Sequence, residues 1–122
     1  MDLNQYTVES SGTLLDVAQV IASNLSRCAI VISDDKTIGV ISEGDLVRAL
    51  LRGTDIYSPL QPFINHGFTF MREHDLSDAL ELFRTLGISL IPILSNEMYL
   101  SDVITLQQVL SQVSLVKLGN TS

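Results

Sequence analysis

A chain of 122 residues with 46% apolar and 17% charged residues fits one compact domain and is too apolar for disorder. Seven scattered basic residues against 14 acidic ones give a net charge of −7, which argues against a nucleic-acid partner. The single cysteine, Cys28, excludes an intrachain disulfide and a cysteine-based zinc site, and no apolar run is long enough to span a bilayer or follows a charged leader, so a cytoplasmic protein without a membrane partner is expected.

Gln5 to Val8 reads as a short extended segment, and Ser10-Ser11-Gly12-Thr13 as a turn that ends in an N-cap. Leu14 to Asn24 has helical spacing, with Leu14, Val17, Ala18 and Ile21 on one face. Cys28 to Ile32 is a continuous apolar run, as expected of a strand buried on both faces, and its flank makes Cys28 a small buried hydrophobe. A tight turn at Ser33-Asp34-Asp35-Lys36 leads into a return strand from Thr37 to Ile41. Glu43 to Leu51 is the second helix, with Leu46, Ala49 and Leu50 as its inward stripe and Gly53 closing it. Thr54 to Pro62 lacks periodicity and reads as a connection, with a short helical turn expected between Leu60 and Asn65.

The order then repeats. Phe68 to Met71 reads as a short strand, and Asp75 to Leu86 as a helix with Leu76, Ala79, Leu80 and Phe83 inward, ended by Gly87. Ser89 to Leu94 is an apolar strand interrupted by Pro92, Ser95-Asn96-Glu97 a turn, and Met98 to Ile104 the return strand. Thr105 to Val113 is the last helix and 114–122 a tail. Leu15 and Ala18 map on Leu76 and Ala79, and Ser42 maps on Thr105. The expected fold is therefore α/β (α+β), with two pseudo-symmetric β-α-β-β-α units packed sheet to sheet. The boundaries are 1–58 for the first unit, 59–66 for the linker and 67–113 for the second.

One junction carries chemistry. Ser42-x-x-Asp45 places a hydroxyl and a carboxylate at the amino end of a helix, where free N–H groups attract anions. The same pair is also a capping box, which needs no ligand. Thr105-x-x-Gln108 is a second capping box, but its amide lacks the charged acceptor. His66 and His74, the two histidines, have no further ligands at metal-binding spacing, and no catalytic constellation is evident.

The run from Cys28 to Leu46, with its strand ending in Gly39-Val40-Ile41-Ser42-Glu43-Gly44-Asp45, and the run Ile88 to Leu94 with its proline resemble a tandem cystathionine-β-synthase (CBS) domain pair, or Bateman module. The resemblance implies a non-catalytic regulatory module that binds an adenosine-containing ligand, AMP, ADP, ATP or S-adenosylmethionine, in a cleft between the repeats. It implies that Ser42 and Asp45 face Phe68, Thr69, Ile88, Ser89, Ile91 and Pro92 there, with Asp45 accepting the ribose hydroxyls. A weaker second cleft would use Thr7, Ala29, Thr105 and Gln108; there Gln108 replaces the acid, and Asp102 stands where the first unit has Gly39. No metal is implied. Leu50 to Ile56, with Pro59 and Phe63-Ile64-Asn65, is similar to pairs that precede sugar nucleotidyltransferase domains, which implies an attached or partner enzyme and a regulatory piece of a longer chain. The family's usual assembly implies a homodimer through the helices Leu46 to Leu51 and Leu106 to Val113. The alternative reading is a structural dimerisation module with no ligand, and the loss of the acid at Gln108 favours it.

Overall fold

The structure is a computed structural model that describes residues 2–112. A single 3₁₀ turn, Leu3–Tyr6, leads into strand β1, Thr7–Glu9. The extended segment expected from Gln5 is therefore shifted: Gln5 and Tyr6 belong to the turn.

Helix α1, Leu14–Asn24, starts at a capping box in which Thr13 and Asp16 satisfy each other's backbone N–H groups. Its face of Leu14, Val17 and Ile21 is buried. The helix lies between β1 and the parallel strand β2, Cys28–Ser33, so these elements form a βαβ crossover. Strand β3, Lys36–Ser42, returns antiparallel to β2. The two-residue turn between them needs left-handed backbone at both positions, and Asp34 and Asp35 supply it with φ of 50° and 66°. Helix α2, Glu43–Leu51, follows β3 without a loop.

In the second half, α3 spans Leu76–Leu86, and β4, Leu90–Leu94, pairs antiparallel with β5, Leu100–Thr105. Residues 106–112 are helical and constitute the described part of α4. Val113 and the tail 114–122 lie outside the described residues.

The expected strand Phe68–Met71 is reduced to one parallel bridge, Met71 to Ile93. Pro92 explains the loss. Its carbonyl accepts the Met71 N–H at 2.9 Å, so its backbone edge faces this segment. Proline has no N–H to return to Thr69, and the ladder stops there. For the same reason Pro92 does not interrupt β4. Its missing donor lies on the side away from β5, and the pairing runs from Leu90 to Leu94, with Pro92 opposite Val103.

The core has three parts. Ala29, Val31 and Ile41 of the first sheet pack against Leu14, Val17, Ile21, Leu46 and Ala49 of α1 and α2. Cys28, Ile30 and Ile32, on the opposite face of β2, meet Leu90 and Val103 of the second sheet, which is the sheet-to-sheet seam. Ile91, Ile93 and Ile104 pack under Ala79 and Phe83 of α3 and Val109 of α4. Two expected inward residues point outward: Leu50 is 39% and Leu80 is 40% exposed. Each sits at the margin of its helix's apolar stripe, where spacing alone does not separate core from rim.

The linker crosses the outer edge of β3. Val40 and Asn65 exchange both backbone hydrogen bonds, at 3.1 and 2.9 Å. Only glycine fits beside this crossing: a Cβ on Gly39 would lie 2.3 Å from Ile64 Cγ2 and 2.7 Å from the Asn65 carbonyl oxygen.

Candidate functional site

The start of α2 is built from backbone needs first. The Ser42 N–H donates to Asp45 Oδ2 at 3.1 Å, and the Asp45 N–H donates to Ser42 Oγ at 3.1 Å. The Glu43 N–H donates to the Arg27 carbonyl at 2.8 Å, which ties α2 to the turn before β2. That turn holds two non-glycine residues in left-handed backbone, Leu25 and Arg27, with φ of 57° and 63°.

Asp45 has a second partner. Arg48 Nη2 donates to its Oδ1 at 2.6 Å. The guanidinium lies across the first turn of the helix, where a Cβ on Gly44 would be 3.2 Å from Arg48 Nη1. Burial pushes the Asp45 carboxyl up, but hydrogen bonds from the Ser42 backbone and hydroxyl and from Arg48 outweigh it and hold the carboxyl below the usual carboxylate range. Asp45 is therefore a carboxylate at neutral pH. Cys28, on the neighbouring strand, is pushed the other way, to about 12, by burial and then by the Asp45 charge. Its thiol stays protonated and is no nucleophile.

In front of this turn lies a cavity of about 470 Å³ between the two halves. Ser42, Asp45, Phe68, Thr69, Ile88 and Ser89 all line it. Ile91 and Pro92 do not. Ile91 is fully buried in the cluster under α3, and Pro92 sits inside β4. Arg27, Cys28, Val40, Glu43, Gly44, Asn65 and Leu90 also line the cavity, beyond the residues expected from the sequence. Strand alternation was a usable signal for two of them. Val40 packs against the seam while Ile41 faces the helices, and Leu90 faces the seam while Ile91 faces α3. For Arg27 and Asn65 no local signal exists, because both arrive through loops.

One contact ties the halves together at this wall. Ser89 Oγ donates to the Ser26 carbonyl at 2.6 Å. Ser26 is itself held by Asn24, a buried amide that accepts the Ser26 N–H at 2.7 Å and donates to the Cys28 carbonyl at 3.1 Å.

The second expected cleft is assembled differently. Thr105 and Gln108 line a cavity of about 340 Å³ with Tyr6, Asn24 and Ser26. Their capping box is intact: the Thr105 N–H donates to Gln108 Oε1 at 3.0 Å, and the Gln108 N–H donates to Thr105 Oγ1 at 3.2 Å. Thr7 and Ala29 are absent from it. Ala29 is fully buried on the helix face of β2, and Thr7 lines a separate groove beside α1. The 3₁₀ turn ahead of β1 brings Tyr6 to the place expected for Thr7, and a shift of one residue exchanges the faces. Asp102, in place of glycine, accepts from its own neighbour Val103 and pairs with His74, Nδ1 to Oδ2 2.6 Å. Among the described residues no group of three or more His, Cys, Asp or Glu is placed to hold a metal, and no helix is long and apolar enough to cross a membrane.

Residues 1–52 match the family model of the CBS domain. A CBS domain protein from Pyrobaculum aerophilum complexed with AMP is similar, with a TM-score of 0.72 and 20% identity over 89% of this chain and 90% of that one. The CBS domain pair of another protein, in complex with 5′-methylthioadenosine and S-adenosyl-L-methionine, gives a TM-score of 0.73 at 14% identity, over 91% and 88%. CBSX2 in complex with AMP gives 0.76 at 19% identity, over 95% and 92%. The fold is that of these CBS proteins, and together with the family match they support the tandem-pair reading. An uncharacterized 17.7 kDa protein of Acidianus ambivalens is 24% identical over 104 residues, and the chain spans 63% of its length.

Proposed function

We propose that this chain is a regulatory CBS pair that binds one adenosine-containing ligand in the cavity at Ser42 and Asp45. The observation that carries the reading is an ionised carboxylate at the mouth of a cavity between the two repeats, beside hydroxyls and apolar walls from the other repeat. Asp45 accepts the two ribose hydroxyls; the Ser42 turn faces the 5′ side; Phe68 and Ile88 supply apolar contact for a base. The structures of similar fold that hold AMP, or 5′-methylthioadenosine and S-adenosylmethionine, support the ligand class. Ligand binding biases the packing of the repeats and, through it, an attached or partner enzyme. A sugar nucleotidyltransferase is the specific partner proposed, and its support is the resemblance of residues 50–65.

We also propose a homodimer. Val47, Leu50 and Leu51 on the outer side of α2 are 46%, 39% and 82% exposed, and Leu110 on α4 is 52% exposed. A two-fold contact covers the same apolar patch on both copies. Light scattering at tens of micromolar reads the mass directly, and a monomer contradicts the proposal. A thermal-shift screen with AMP and S-adenosylmethionine tests the ligand. A rise in Tm that is lost in Asp45→Ala is expected; no shift with any adenosyl compound contradicts the reading.

A further inference from the structure

The charges around the Asp45 cavity restrict the ligand more than its shape does. Of the lining residues only Arg27, Glu43 and Asp45 carry charge; with Arg48, which is bound to Asp45, the two cations and two carboxylates cancel, so the cavity offers no net positive charge. Both nearby cations are already engaged. Arg27 Nε is 3.2 Å from Glu43 Oε2, and Arg48 is bound to Asp45. The helix start has little left to give, since the N–H groups of Ser42, Glu43 and Asp45 all have partners inside the protein. Gly44 is left as the one N–H of that turn without a partner among the described residues.

We infer that the cavity selects against polyphosphates, and that its ligand is an adenosyl compound with no more than one phosphate on the 5′ carbon. The inference rests on the adenosyl reading above. A ribose held by Asp45 keeps its 5′ substituent within one sugar's width of the Asp45 and Glu43 carboxylates. One phosphate finds the Gly44 N–H and the helix dipole. Each further phosphate finds no unpaired guanidinium, since Arg27 and Arg48 are held by Glu43 and Asp45, and adds negative charge beside them in a chain whose net charge is already −7. An uncharged thioether or a sulfonium at the same position meets no such repulsion.

Isothermal titration of the full chain with AMP, ATP and 5′-methylthioadenosine, in magnesium-free buffer, tests this. ATP is expected to bind at least tenfold more weakly than AMP, and 5′-methylthioadenosine within tenfold of AMP. Because the discrimination is electrostatic, the ATP-to-AMP gap should narrow when salt rises from about 50 to about 300 mM. It should narrow by at least threefold in Glu43→Gln, which removes one carboxylate and releases Arg27. ATP binding as tightly as AMP overturns the inference and leaves the adenosyl reading standing. A gap that ignores both salt and Glu43→Gln overturns it too, because the discrimination would then be steric. No binding of any of the three, with folding verified by circular dichroism, overturns the adenosyl reading and the inference with it.

Discussion

At the start of α2, Ser42 Oγ and Asp45 Oδ2 each take a backbone N–H at 3.1 Å; at the start of α4, Thr105 Oγ1 and Gln108 Oε1 take the equivalent pair at 3.2 and 3.0 Å. The next donor is matched as well. Glu43 N–H reaches the Arg27 carbonyl at 2.8 Å, and Leu106 N–H reaches the Ser89 carbonyl at 2.9 Å. The two repeats thus solve the same capping problem with the same bonds. A neutral amide closes the same two bonds, so the bonding pattern of the cap does not require the charge of Asp45. That charge is what the first cavity has and the second lacks. The repeats also differ where glycine is needed. Gly39 lets the linker cross β3, while Asp102 at the equivalent register of β5 bonds to His74.

Exchanging residues between repeats sharpens the comparison. The largest effect is expected for Gly39→Asp, which forces side-chain atoms into Ile64 and the Asn65 backbone. It should destabilise the fold by about 3 kcal/mol or more in urea unfolding, whereas Asp102→Ala, at a half-exposed pair, should cost under about 1 kcal/mol. Equal costs would mean that the two registers are not equivalent in the way described.

The helix ends give a smaller contrast. The C-caps Leu25 and Gly87 are both left-handed, with φ of 57° and 66°. Leu25 is 69% exposed and gains little from burial there. Leu25→Gly should raise stability by roughly 0.5 kcal/mol, and Gly87→Ala should lower it by about 1 kcal/mol, both read as shifts in the urea midpoint.

The smallest effect is in pH. The folded state holds Asp45 below its unfolded value of about 3.9, so it favours the ionised form. The stability this supplies is fully present above about pH 4 and drains as the pH falls through the lower folded value. The stability difference between wild type and Asp45→Asn should therefore be flat from about pH 5 to 7 and shrink below about pH 4. The penalty of Gln108→Ala should not change, since its cap has nothing to titrate.

What could be read from the sequence was what local bonding dictates. Both capping boxes, the Asp34-Asp35 turn, the duplicated order and the burial of Cys28 follow from neighbours a few residues apart. Facing was harder. Ala29, Ile91 and Thr7 are expected in a cavity from the sequence, yet the chain turns them elsewhere, because a strand reverses its sides at every residue and a 3₁₀ turn ahead of β1 shifts the count. The strand expected at 68–71 failed through Pro92, a residue on a different segment. Arg27 enters the cavity from a strained loop whose left-handed backbone nothing in its residue types announces. Leu50 and Leu80 show the same limit on helices: the period gives the stripe but not its edge.

Asp45 is proposed to bind a ligand through a charge that its capping bonds do not require. Asp45→Gln tests it most directly, because it gives the first repeat the pair that caps the second. Calorimetry with AMP should give one site per wild-type chain and no measurable binding to the variant, whose urea midpoint changes by no more than about 1 kcal/mol of stability. Equal affinity in the two proteins, or two equivalent sites in the wild type, would contradict the account.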